Sequence, residues 1–261
     1  MTVETDMTDR DQETLVVAQF GPRAAAYVNS ATHSQGEDLK QLAALLASRT
    51  GARVLDLGCG GGHAAFAAAP HVREVVAYDL SAEMVGAVAA EAKRRGLANI
   101  VTRQGAVETL PFPDGAFDVV MTRFSMHHWT DLAAALKEAR RVVKRDGIAV
   151  LIDTVSPGKP ALDTFLQAFE LFRDPSHVRN YSVAEYRAAL SAAGFVVTDV
   201  TERQIHIAFA PWIERMGTPA VQADAIRAVQ RQVSAEARRH FAIAEDGSFE
   251  LDTAMIEAKP V

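Results

Sequence analysis

Apolar runs and amphipathic stretches alternate along the middle of the chain at the rhythm of a layered α/β fold. Leu39, Leu42, Ala43 and Leu46 keep helical spacing, which predicts an amphipathic helix over 35–49. "ARVLDLGCGGGH" follows, a strand running into a glycine turn and a helix. "EVVAYDLS" reads as a second strand; Ser81 caps the next helix, Glu83 lies in its first turn and Gly96 suits its end. "NIVTRQG" is a third strand, "TLPFPDGAF" is turn-rich, and "FDVVMTRF" is a fourth strand. A helix over 131–144 places Leu132, Leu136 and Val143 on one face, and "GIAVLIDTV" is a fifth strand. Strands and helices in this order give a doubly wound parallel sheet covered on both faces.

The pattern differs at both ends. Residues 1–13 read as a flexible tail, and 15–30 as a helix interrupted by "FGPR". After Pro160 come a helix over 160–173, the loop "RDPSHVRNYS" and a helix over 182–193 ended by Gly194. "FVVTDVTERQIHIAFA" and "FELDTAMIEA" alternate as long strands do, the second entered by the turn "EDGS". The Arg-rich helical stretch between them is too long for a hairpin loop, so a helical cap is expected at about 211–243.

Composition narrows the class. The 261 residues carry a formal net charge of −6, which speaks against a nucleic-acid binder. Hydrophobic residues are 49% and charged residues 23%, ordinary values for a soluble protein. Cys59 is the single cysteine, so no intrachain disulfide can form. No apolar run approaches the ~18 residues of a membrane helix, and "MTVETDMTDRDQET" lacks the basic start and apolar core of a signal peptide. A cytoplasmic protein with no membrane span is expected.

The glycine turn carries the candidate chemistry. Gly58, Gly60 and Gly62 form G-x-G-x-G where an open parallel sheet binds ligands. Asp79 ends the second strand nineteen positions after Gly60, where a carboxylate can accept both ribose hydroxyls of an adenosine. A phosphate loop needs G-x-x-x-x-G-K-[ST], and neither Lys nor Ser/Thr follows these glycines. A dinucleotide turn needs Gly or Ala where this chain has His63, and Asp56 is awkward beside a pyrophosphate. S-adenosylmethionine carries an ammonium, a sulfonium and no phosphate, and Asp56 suits it electrostatically.

Taken together, "VLDLGCGGG", "VVAYDLS", "ETLPFPDGAFDVVMTRFSMHHW" and "RVVKRDGIAVLID" resemble the successive motifs of class I S-adenosylmethionine-dependent methyltransferases. The resemblance is to the ubiquinone/menaquinone C-methylase-like group, methyltransferase type 11, and it is strong over 27–153. It implies an α/β, Rossmann-like sheet of seven strands with the last antiparallel, N-terminal lid helices over 14–50 and a methyltransferase domain over 51–261. It implies that Gly58 and Gly60 lie under the cofactor with the Cys59 backbone beside them. Asp56 would reach the methionine amino group and Asp79 the ribose, with Leu80 and Met84 on the adenine. The family's Gly-Asp-Ala is Gly105-Ala106-Val107 here, so the acid that reads the adenine amino group is missing and the backbone of Ala106 and Val107 is left. Arg123 stands where a main-chain carbonyl meets the ammonium; a salt bridge to Asp56 is one option for its side chain. Tyr27, Ser30 and His33, three apart, would present one face of a helix folded over the cofactor, with the Tyr27 ring near the sulfonium.

Methyl transfer needs a base only where the acceptor must lose a proton. His127 and His128, after the fourth strand, are the candidates; the alternative is that one packs while the other caps the next helix. His63 is expected to position rather than react, and no spacing indicates a metal site. The cap around Trp212 and Met216 is expected to close an acceptor pocket with Phe165, Phe169 and Tyr181. Arg215 is a candidate for an acidic group on the acceptor, an exposed salt bridge being its alternative. The expected partner is a small acceptor, apolar or aromatic; a homodimer is left open. Two other readings stay open: a nucleotide-cofactor (NAD-type) oxidoreductase and a non-catalytic S-adenosylmethionine-binding protein.

Overall fold

A computed structural model describes residues 11–28 and 36–261. Ser30 and His33 lie outside the described residues. Helix α1 (Gln12–Phe20) starts at Asp11, whose carboxylate accepts the Thr14 N–H at 2.8 Å. It therefore begins inside the stretch expected as a tail. Pro22 lies in a single 3₁₀ turn, Gly21–Arg23, and α2 (Ala24–Val28) follows, so the expected break at "FGPR" is present. Helix α3 (Glu37–Leu46) buries Leu39, Leu42 and Leu46.

Five strands and their helices follow: β1 (Arg53–Leu57), α4 (His63–Ala68), β2 (Glu74–Asp79), α5 (Ala82–Arg94), β3 (Ile100–Gln104), β4 (Phe117–Arg123), α6 (Leu132–Val142) and β5 (Val143–Thr154). After them come α7 (Pro160–Arg173), α8 (Val183–Ala192), β6 (Phe195–Ile207), α9 (Phe209–Met216), α10 (Ala220–Gln232), α11 (Ala235–His240) and β7 (Phe249–Pro260). The sheet has seven strands in the order β3-β2-β1-β4-β5-β7-β6. β7 is antiparallel to both β5 and β6, and the other pairs are parallel. The order reverses between β1 and β4, so the crevice at their carboxyl ends is the switch point of the sheet.

Period-two burial builds the two faces. Leu55, Leu57, Tyr78 and Val120 point toward α6 and α8, whose Leu136 and Leu190 meet them. Val54, Val75, Ala77 and Met121 point the other way, against Leu42, Ala65 and Val88 of α3, α4 and α5. A third core joins α7 to α9, α10, α11 and the ends of β6 and β7. Phe169 is its hub, with ring centroids 4.9 Å from Phe165, 5.8 Å from Trp212 and 5.0 Å from Phe249. No helix among the described residues is long and apolar enough to cross a membrane.

One expected boundary moves. Helix α6 stops at Val142, and Val143, expected on the helix face, opens β5. Val143 pairs with Phe117 and is buried; the register then shifts before Val119. A β-branched side chain with a strand partner favours the sheet over one more helical residue.

Leu42 is fully buried where α3 meets the sheet. Leu42→Ala is expected to lower unfolding free energy by ~2–5 kcal/mol in urea titrations; a loss below ~1 kcal/mol would show that α3 is not held by this face.

Candidate active site

The turn after β1 is shaped by backbone rather than side chains. Gly58, Gly60 and Gly62 take φ values of 61°, 47° and 78°, a left-handed conformation that other residues adopt only with strain. A Cβ on Gly61 would stand 2.8 Å from the Tyr27 carbonyl, so glycine there lets the end of α2 settle on the turn. His63, at the start of α4, holds the same carbonyl from its Nε2 at 2.8 Å. A carbonyl only accepts, so this nitrogen carries the proton; burial lowers the His63 pKa and keeps the ring neutral.

Two carboxylates flank the turn. Asp79, half-buried at the end of β2, accepts the Gly60 N–H at 2.7 Å and the Ser81 N–H at 3.0 Å, one on each oxygen. Each oxygen keeps acceptor capacity toward the cavity. Asp56, on β1, is fully buried, and neither of its oxygens has a hydrogen-bond partner among the described residues. Burial raises its pKa to about 8; the nearby Asp79 adds to the rise, while the Ala65 amide and Arg123 oppose it. The optional Arg123–Asp56 salt bridge is not formed. Arg123 instead pairs with Asp38 at the start of α3, both side chains being largely buried. Asp38 is the better partner because it sits in the first turn of a helix, where Gly36 leaves room for the guanidinium.

These groups line a partly open cavity. It gathers every candidate cofactor residue: Tyr27, Asp56, Gly58, Cys59, Gly60, Asp79, Leu80, Met84, Ala106, Val107 and Arg123. The Ala106 carbonyl accepts the Tyr78 hydroxyl at 3.2 Å. Glu108, two residues on, puts a carboxylate on the wall beside the position of the missing acid. Sequence reasoning passed over Glu108, although it stands next to the Gly105-Ala106-Val107 departure. It also passed over Phe20, which α1 brings over the cavity and packs 5.4 Å from the Tyr27 ring and 4.9 Å from His128.

A second, partly open cavity adjoins the first. The two share Phe20, Tyr27, Arg123, Phe124 and His128. Phe124 itself is left-handed, with φ 51°, and its N–H donates to the Ile152 carbonyl at 2.8 Å. For a bulky residue this is stored strain, held by β4 at the junction of the cavities. The floor of the second cavity is the β6–β7 ribbon, where Arg203 pairs with Thr253 and Ile205 with Leu251. Trp212 lines it as expected, whereas Phe165 and Phe169 belong to the third core and Tyr181 packs toward α8.

The two histidines part company. His127 lines only the second cavity; its Nδ1 lies 2.6 Å from Asp153 Oδ1 at the end of β5. The Thr154 N–H donates to the same oxygen at 2.8 Å. Burial works against a charge on His127, but Asp153, with Glu170 and Asp174 behind it, wins and raises its pKa above 6.5. His128 lines both cavities, and its Nδ1 meets the Ser176 carbonyl at 3.1 Å. Burial, reinforced by His127, lowers its pKa to about 4, so it stays neutral. Neither caps the next helix; Asp131 does, accepting the Ala134 N–H at 2.9 Å.

Comparison with known proteins follows the same lines. A family model described as a methyltransferase domain matches residues 55–151. The uncharacterized protein YafE of Escherichia coli K12 is 45% identical over 197 residues, 76% of this chain and 95% of that protein. The uncharacterized methyltransferase YcgJ of Bacillus subtilis is 38% identical over 224 residues, 86% of this chain and 88% of that protein. The crystal structure of YcgJ matches with a TM-score of 0.82 at 36% identity, covering 86% of this chain and 98% of that one.

The unpartnered Asp56 has a measurable signature. Its folded pKa of about 8 lies above the ~3.9 of an unfolded aspartate. The folded state therefore binds the extra proton, and stability falls as pH rises between the two values. Relative to Asp56→Asn, the wild type should lose roughly 1.4 kcal/mol per pH unit in that window. Urea unfolding at pH 5, 6 and 7 checks this; parallel curves for the two proteins would refute it.

Proposed function

We propose that this chain, which belongs to the methyltransferase-domain family of these relatives, uses S-adenosylmethionine to methylate a small-molecule acceptor held in the second cavity. The observation that carries this reading is the junction: two cavities meet at Phe20, Tyr27, Phe124 and His128, and the His127–Asp153 pair stands just beyond it.

The first cavity fits the cofactor on its own chemistry. The unmet carboxylate of Asp56 suits the methionine ammonium, and the open acceptor sites of Asp79 suit two ribose hydroxyls. Leu80 and Met84 offer an apolar wall to the adenine, with the Ala106–Val107 backbone and Glu108 at its edge. When bound, S-adenosylmethionine supplies a methyl group on a sulfonium, open to in-line displacement by a nucleophile. Tyr27 turns an aromatic side chain to that junction, where a cation is favoured.

The chain's own task is to place the acceptor, exclude water and take a proton. His127 donates from Nδ1 to Asp153, which leaves the Nε2 lone pair for the acceptor's proton. Asp153 fixes the tautomer and stabilises the imidazolium that forms. His128, neutral between the cavities, adds no positive charge beside the sulfonium.

Two measurements test the assignments. Asp79→Ala should weaken S-adenosylhomocysteine binding by ~1–3 kcal/mol in calorimetry; unchanged affinity would misplace the ribose. A methyl-release screen over quinols, phenols, carboxylates and amines finds an acceptor, and with it His127→Asn should lower kcat ~10²–10⁴-fold. The base must be neutral, so wild-type kcat/KM should rise with pH through a value above 6.5, a limb that the variant lacks. A variant with wild-type kcat and the same limb would remove His127 from the chemistry.

A further inference from the structure

We propose that the second cavity recognises an acidic group on the acceptor: Arg215, assisted by Arg203, receives a carboxylate or a phosphate at one end of an otherwise apolar molecule. This rests on the second cavity being the acceptor site.

Arg215 comes from α9, between the buried Trp212 and Met216, and its guanidinium reaches the cavity wall. Its Nε is buried without a hydrogen-bond partner among the described residues. A neighbour it does have, the Tyr27 hydroxyl, is neutral. An arginine that merely packs its stem keeps its head in water; this one holds its Nε out of water with no hydrogen bond to it among the described residues. Burial and the nearby Arg173 disfavour its charge and outweigh the Tyr27 hydroxyl and Glu170, which favour it. Arg203, on β6, lines the same cavity and bonds the neutral Gln41.

The carboxylates on the same walls are engaged. Asp38 pairs with Arg123, and Glu37 with Lys40 at 2.6 Å. Glu170 lies 3.6 Å from Arg173, whose own Nε donates to the Trp212 carbonyl at 3.3 Å. Glu170, which also faces Arg215, is bonded to Arg173, so Arg203 and the Nε of Arg215 are the cationic donors on this wall without a carboxylate bonded to them among the described residues. A guanidinium is planar and presents paired donors, the geometry that a carboxylate or phosphate accepts two at a time. The rest of the wall is Ile152, Ile205, Ile207, Trp212 and Leu251. An apolar body with one anionic end satisfies both parts, its other end lying toward His127 and the junction.

Three probes share one ring system: 2-naphthoate, 2-naphthyl phosphate and the neutral 2-naphthamide. Each is titrated calorimetrically into the full chain, with and without S-adenosylhomocysteine. At least one anion should bind roughly tenfold or more tighter than the amide, and the tighter anion tells carboxylate from phosphate. Arg215→Gln should shrink that preference to about threefold or less, and Arg215→Lys should restore part of it. If Arg215→Gln does not fold, Arg203→Gln is the second variant, expected to reduce the preference in the same direction. Equal affinity for all three probes would overturn the proposal. So would the absence of binding below about 10 mM, or a preference that survives in every folded glutamine variant. An anion preference that holds while His127→Asn keeps full activity supports the proposal and rejects only the base; displacement of the probes by S-adenosylhomocysteine would move them to the first cavity and overturn it.

Discussion

A carboxyl buried without a side-chain partner is costly to ionise, and this fold holds one at Asp56. β1 lies between β2 and β4, and Asp56 is in register with Ala77 on one side and Met121 on the other. Its backbone is paired on both sides at the centre of the sheet, and its buried side chain lines the first cavity. The glycines that follow bring no side chain to meet it. With a pKa of about 8, the group is mostly protonated at neutral pH and becomes an anion when a cation arrives. The sheet, the turn and the cavity together favour a positive charge beside Asp56, which in the proposed reading the ammonium of S-adenosylmethionine would supply.

The far end of the second cavity has the opposite need, at Arg215. Between the two ends most charged wall groups are paired with one another, Glu170 with Arg173 and Asp38 with Arg123, and two of the histidines are neutral. His128 has a pKa of about 4, and His177, behind it, is pushed to about 2 by burial and by the other two histidines. Arg123 is matched by Asp38. His127 is the exception, its positive form favoured by Asp153 just beyond the junction. A corridor with few competing charges suits a transfer in which the cofactor brings a cation and the nucleophile must approach it in low dielectric.

What the sequence disclosed was what local backbone determines. Gly58, Gly60 and Gly62 alternate because the turn is left-handed at every second residue, and Asp79 sits within reach of the Gly60 amide. Such relations are written within a few dozen residues. The pairs that were not legible join distant segments: His127 to Asp153, Arg123 to Asp38 across 85 positions, Tyr27 to Met216 across 189. Arg203, Ile205 and Ile207 show their strand alternation plainly, but which space they face depends on β7, forty-odd residues later. Val143 failed for a related reason: its helical periodicity was real, and a strand partner at Phe117 outweighed it.

Both cavities are partly open, and α1 is the element that lies over their junction. The strands around the turn are paired on both sides and cannot yield. α1 buries none of its residues fully, yet Glu13, Val16 and Phe20 cover the first cavity. The bonds that hold it are few: Gln12 to the Ser176 carbonyl at 2.6 Å and Gln19 to the Met216 carbonyl at 3.1 Å. Each such bond is worth about 0.5–1.5 kcal/mol net, so α1 can lift for far less than the sheet can open. Phe20 would go with it, uncovering both cavities at their shared junction. The same ring, once returned against Tyr27 and His128, closes that junction to water. In the proposed reading access and dryness, which pull against each other in any methyl-transfer site, would fall to one short helix rather than to the sheet that would align the reacting groups.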